Sequence, residues 1–368
     1  MSNIYFPNLN GLRTIAAFLV VVHHVEQFKK ILGRTNYFDN PFIKITGKTG
    51  VILFFVLSGF LITYLLIKEK QVTKTISIPD FYKRRVLRIW PLYFLLIIIA
   101  FFILPKIPFF NIGESSALVA DNFSIKLLFF VFFMPNLALG LFPPVPYASQ
   151  AWSIGYEEQF YLFWPWIVKF RQNIKIIIIS YVLLFYLSNI LAFTVFREML
   201  VEHDLLKVAE IFYDFPAYDS LLIGGLLAYL SLYRKSFFDF FFKKYFQAIL
   251  YTVTIAAIAF GLKVPYVNNF FYALLFALII ANLALNPNSI VSLENRVFNY
   301  LGKISYGVYM YHSIAIVLVL KILPILDLDN LFLEYLLSSL ITTVIASLSF
   351  EFFENEFIKR KRKFSKLK

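Results

Sequence analysis

Arg13 and His24 are the first two residues of this chain whose types and spacing could do chemistry together. They stand eleven positions apart, with an unbroken apolar run from Ile15 to Val22 between them. Eleven helical steps make almost three full turns, so both side chains fall on one stripe, about 16 Å apart along the axis at roughly 1.5 Å per residue. That spacing would put the guanidinium at the edge of an apolar medium and the imidazole well inside it. An ionisable group at such depth is costly, and its default reading is functional. Arg13 alone could be a snorkelling anchor, and His24 alone a satisfied interior imidazole; both on one stripe favour a site. His23 points about 100° away from His24 on a helix of 3.6 residues per turn, so the adjacent pair is a poor chelate and no metal site is expected.

Other candidates sit further along. Arg84, Arg85 and Arg88 precede an apolar run that starts at Ile89. Guanidinium forks bind phosphate oxygens bidentately, although arginines at such a place also anchor a span. Ser153 and Glu157 are four apart and face the same way, with Glu158 beside them. Acidic groups at a helix start also simply favour its dipole. For His312, ligand contact and packing are both open, and His203 reads as a solvated loop residue.

The elements that must position these groups are set by composition. Of the 368 residues, 60% are apolar and 15% charged. A water-soluble globular chain has about 45–50% apolar and about 25% charged residues. Such an excess needs an apolar solvent outside the protein, so the expected fold is all-α, a polytopic membrane helix bundle. About ten spans are expected, near 12–28, 50–67, 89–107, 152–168, 175–195, 216–233, 246–262, 268–285, 304–323 and 331–352. The apolar stretch 126–142 is expected not to span, because making it do so would move Lys169, Arg171 and Lys175 to the acidic side. With it left out, basic residues collect on the side of both termini, which the positive-inside rule makes cytoplasmic. The net charge of +13 is thereby explained without nucleic acid. There is no cysteine, which excludes disulfides, thiolate metal sites and an acyl-cysteine. The N-terminus lacks a cleavage pattern and is expected to be retained as the first span. The domain organisation is a single membrane unit, 1–358, followed by a basic cytoplasmic tail, 359–368, read as an anchor at anionic headgroups.

Several blocks resemble one family. Asn10-Gly11-Leu12-Arg13 followed by His24 is similar to the opening of the membrane-bound acyltransferase family 3, with Asn10 where that family usually has Asp. Phe54 to Thr63, Phe81 to Tyr93, Trp152 to Tyr161, Gly302 to His312 and Ser349 to Glu354 resemble its later blocks, in order. Members O-acylate bacterial surface glycans and some secondary metabolites. The resemblance implies an acyl-CoA-dependent O-acyltransferase of the bacterial inner membrane, multi-pass, with acyl-CoA as co-substrate and no bound cofactor. It also implies that Arg85 and Arg88 matter for the donor, which Arg13 and Arg84 could help to hold.

Acyl transfer then needs a base for the acceptor hydroxyl and donors for the oxyanion. Neutral His24 is the expected base, with Glu157 orienting it or holding the sugar; an acyl-serine at Ser58 or Ser153 is a less simple route. The partners expected are acyl-CoA, a glycan or glycoside acceptor and the bilayer. Acetyl is the expected acyl group, and the chain is expected to lack the extra esterase-like domain carried by some relatives. The rival reading is a transporter or flippase of lipid-linked sugars, which would consume no thioester.

Overall fold

The computed structural model describes residues 4–171, 173–202 and 218–364; His203, the start of the sixth expected span and the last four tail residues lie outside them. The described residues are helical or irregular, with no strand. Their long helices are α1 (Leu9–Ile31), α2 (Pro41–Thr73), α3 (Ile78–Ile98), α6 (Trp152–Phe170), α7 (Ile174–Thr194), α8 (Tyr218–Tyr233), α9 (Lys244–Ala259), α10 (Asn268–Leu285), α11 (Arg296–Ile325) and α12 (Leu331–Ser349). Shorter ones are α4 (Phe123–Val131), α5 (Pro135–Leu141) and α13 (Asn355–Lys361).

Each expected span overlaps one of these long helices, and among the described residues six helical stretches are long and apolar enough to cross a bilayer. The protein is a multi-pass membrane helix bundle. Of the four long helices outside that six, α8 and α9 have 16 residues each, whereas α1 and α6 carry Arg13, His23 and His24, and Ser153, Glu157 and Glu158, respectively. The polar groups of the site dilute the apolarity of the helices that hold it. The stretch 126–142 breaks at Phe132–Met134 into α4 and α5, of nine and seven residues, each too short to span.

Local chemistry sets the helix starts. Asn40, Asn295 and Asn330 cap α2, α11 and α12, each side-chain oxygen accepting from a backbone N–H of the first turn. Asn8 does more than start α1. Its Nδ2 donates to the Leu283 carbonyl (2.8 Å) and its Oδ1 accepts from the Leu293 N–H (2.6 Å), tying the helix start to the end of α10.

At the centre, α2 packs on α1 and α8, and α1 on α11. Close approach rests on glycine: a Cβ on Gly59 would strike the Leu221 carbonyl, and one on Gly224 the Val56 carbonyl. In lipid, where no hydrophobic drive separates helix from solvent, such small-residue contacts supply the packing that holds helices together.

The far end of α1 is held by charge. Lys29 lies between Glu26 (3.1 Å) and Glu334 (2.9 Å), and Arg34 joins Glu334 (2.7 Å); Lys29 and both glutamates are buried. Tyr335 adds a hydrogen bond to Glu26 (2.9 Å). This network joins α1 to α12 close to His24.

Past α12 the helix continues through a π-helical turn, Phe350–Glu354, into α13, which packs against α3. Position 358, the expected boundary between membrane unit and tail, falls inside α13.

Candidate active site

A cavity of about 290 Å³ opens between α1, α2, α3, α6 and α11. Its walls are apolar at Phe54, Phe55, Ile62 and Ile154, while Arg13, Arg85, Arg88 and Lys361 supply four cations against one carboxylate, Glu157. Ser58, Ser153, Ser305, Tyr161, Tyr306 and Tyr309 add hydroxyls. The size sits at the lower edge of the roughly 300–1,000 Å³ usual for ligand sites.

The cations are held in different ways. Arg13 Nη1 donates to the Asn10 amide oxygen (3.3 Å), so a neutral group stands beside it. The Arg85 guanidinium lies over the Phe81 and Tyr161 rings, 5.7 Å from each centroid, and its buried Nε has no partner. Arg84, expected with these, is not in the wall. It donates to Glu69 (3.1 Å) and to the Phe364 carbonyl (2.6 Å). Adjacent residues on a helix point about 100° apart, and Arg84 takes the side of α3 that meets the tail.

Glu157 corrects a second expectation. It does not orient His24: Oε1 accepts from Ser58 Oγ (2.8 Å) and Oε2 from the Tyr161 hydroxyl (2.9 Å). Glu158 points elsewhere and accepts from the Trp90 indole N–H (2.9 Å). Ser153 shares a hydrogen bond with the Tyr309 hydroxyl (2.8 Å), which also donates to the Gln150 carbonyl (2.8 Å).

His24 lies beyond that end of the cavity and is not among its walls. Arg13 thus lines this cavity and His24, on the same stripe of α1, does not. What connects them is a file of side chains: Tyr309 in the wall, His312 with its ring 5.8 Å from Tyr309, and His24 with its ring 4.6 Å from His312. Residue 312 stands midway along α11. His24 Nδ1 meets the Val20 carbonyl (2.8 Å) and His312 Nδ1 the Tyr309 carbonyl (2.6 Å). A carbonyl only accepts, so each Nδ1 carries a hydrogen, and in the neutral ring each Nε2 is left with the lone pair. His312 is fully buried with Nε2 unpartnered, whereas His24 keeps part of its surface open. His23 turns away to the Ile43 carbonyl (2.8 Å) and packs against Gly47.

The family model for the acyltransferase domain, acyltransferase family 3, matches residues 6–351. The chain belongs to this acyltransferase family. It is 27% identical over 95% of its length to a peptidoglycan O-acetyltransferase, OatA, of Listeria monocytogenes, covering 55% of that protein. It is 26% identical to the putative peptidoglycan O-acetyltransferase YrhL of Bacillus subtilis, over 95% of this chain and 54% of the relative. It is 25% identical to an O-acetyltransferase, OatA, of Staphylococcus aureus, over 97% and 58%. The chain thus spans a little over half the length of the curated relatives it matches. No solved structure matches it significantly.

Sequence reasoning passed over Tyr161, Tyr309 and Lys361 as site residues. The first two had a legible signal: Tyr161 is four residues from Glu157, and Tyr309 three from His312, each pair one helical turn apart. Lys361 had none, since a tail lysine reads as an anchor until the fold places it.

Proposed function

We propose that this protein is an acyl-CoA-dependent O-acyltransferase of the bacterial inner membrane that acylates a hydroxyl of a surface glycan, with both termini cytoplasmic. The observation that carries the reading is the cavity itself: guanidiniums suited to phosphate, hydroxyls at Ser153 and Tyr309, and a neutral imidazole pair directly behind Tyr309. The guanidiniums suit the pyrophosphate of coenzyme A. The apolar walls suit its pantetheine arm, which would carry the thioester past Tyr309 to meet the acceptor at His24.

At that point His24 Nε2 takes the proton of the acceptor hydroxyl as its oxygen attacks the thioester carbonyl. The tetrahedral intermediate collapses, the C–S bond breaks, and the proton leaves with the coenzyme A thiol. His24 is the base in preference to His312 because only His24 keeps surface open to an acceptor. Glu157 holds Ser58 and Tyr161 and offsets the arginines across the cavity. Arg13, Arg85 and Arg88 bind the donor.

The chain's similarity to peptidoglycan O-acetyltransferases favours peptidoglycan as acceptor and acetyl as the acyl group. The test supplies radiolabelled acetyl-CoA to membranes containing the full chain, then counts label in extracted glycan. Label that appears with the wild type and vanishes with His24→Ala supports the reading. Label unchanged in His24→Ala removes His24 as base, and no label with either protein removes the acyl-CoA donor.

A further inference from the structure

Lys361 belongs to a segment that composition alone assigns to the membrane surface, yet it lines the same cavity as Arg13, Arg85 and Arg88. Its position there is built. The helix α13 packs along α3, and two consecutive residues of α3 grip the tail beyond it. Arg84 donates to the Phe364 carbonyl (2.6 Å), and the Lys83 ammonium stands 5.0 Å over the Phe364 ring. Arg84 is itself held by buried Glu69. The neighbouring tail lysine behaves otherwise: Lys359 is exposed and pairs with Glu356 (2.7 Å).

Four cations facing one carboxylate repel one another unless something anionic stands among them. Three arginines suffice for a pyrophosphate. A fourth basic group, brought to the cavity by the terminal helix, suits a further phosphate.

We infer that Lys361 binds the 3′-phosphate of coenzyme A, so that the C-terminal helix completes the donor site and Arg84 acts by positioning that helix. This rests on the acyl-CoA reading above. With the thioester directed toward Tyr309, the phosphate farthest from the thioester is the ribose 3′-phosphate, and Lys361 is the lining residue that the terminal helix brings to the same cavity. A lysine ammonium suits a terminal phosphate as a point charge, while the planar arginine forks suit the pyrophosphate.

The experiment measures binding of coenzyme A and of 3′-dephospho-coenzyme A to the purified full chain in detergent. The variants are Lys361→Ala, Lys361→Arg and Lys359→Ala. One charged hydrogen bond corresponds to a loss of about tenfold or more in affinity. Lys361→Ala is therefore expected to weaken coenzyme A binding about tenfold and to leave the dephospho form unchanged. Lys361→Arg should recover most of the loss, and Lys359→Ala should match the wild type. Equal weakening of both ligands by Lys361→Ala, or equal weakening by Lys359→Ala, overturns the assignment in favour of general tail charge. Wild-type affinity in Lys361→Ala overturns it as well, leaving the donor reading intact. If the wild type binds neither ligand, the donor reading fails first and this inference falls with it.

Discussion

Replacing His24 by alanine removes the member of the His24–His312 pair that keeps surface open to an acceptor. The Nδ1–Val20 bond of 2.8 Å leaves Nε2 as the proton acceptor, and the 4.6 Å contact with His312 holds the ring in place. General base catalysis contributes typically about 10²- to 10⁴-fold, which is about 2.7–5.5 kcal/mol of barrier at about 1.36 kcal/mol per decade. His24→Ala should therefore lower kcat for acyl transfer by at least two decades. The KM for acyl-CoA should move little, because none of the cavity's cations touches His24. The assay is initial-rate transfer of label from acetyl-CoA to glycan in membranes matched for protein content. His312→Ala is run beside it. A fall smaller than tenfold in His24→Ala, or a larger fall in His312→Ala than in His24→Ala, would refute the assignment of the base.

Arg85→Ala or Arg88→Ala should raise the KM for acyl-CoA by about tenfold or more, the size of one charge-assisted hydrogen bond of about 1.5–3 kcal/mol; donor titration of the same assay reads it. Lys29→Met leaves Glu26 and Glu334 buried with their shared ammonium gone, and breaking such a pair costs about 3–5 kcal/mol. A clear drop in the thermal midpoint of the detergent-purified protein is expected, and a midpoint equal to wild type would count against the network as what anchors α1 to α12. Gly59→Val should separate α2 from α8, since its Cβ meets the Leu221 carbonyl; overpacking of this kind costs about 1–3 kcal/mol. Reduced yield of folded protein on size-exclusion chromatography checks it, and normal yield with normal activity would show that the contact is dispensable.

Much of the scaffold was legible before any coordinates. An apolar fraction of 60% with so few charges has one physical solution, a chain solvated by lipid, and helices satisfy every backbone group internally there. The expected spans fell on helices because hydropathy in a bilayer is a local property of each segment. The phase of Arg13 and His24 on α1 followed from helix geometry in the same way, and the blocks from Asn10 to Glu354 carried the family resemblance.

What each side chain faces was decided only by the assembled bundle. Glu157 meets Ser58, ninety-nine residues away, and His24 meets His312 from a helix nearly three hundred residues on. Arg84 and Arg85 are chemically identical neighbours, and one grips the tail while the other lines the cavity, according to which side of α3 each presents. Lys361 looks like its neighbours in sequence and differs from them only by where α13 lies. A shared stripe on one helix states a direction, whereas a shared cavity depends on what the neighbouring helices place in between; here Tyr309 and His312 stand there.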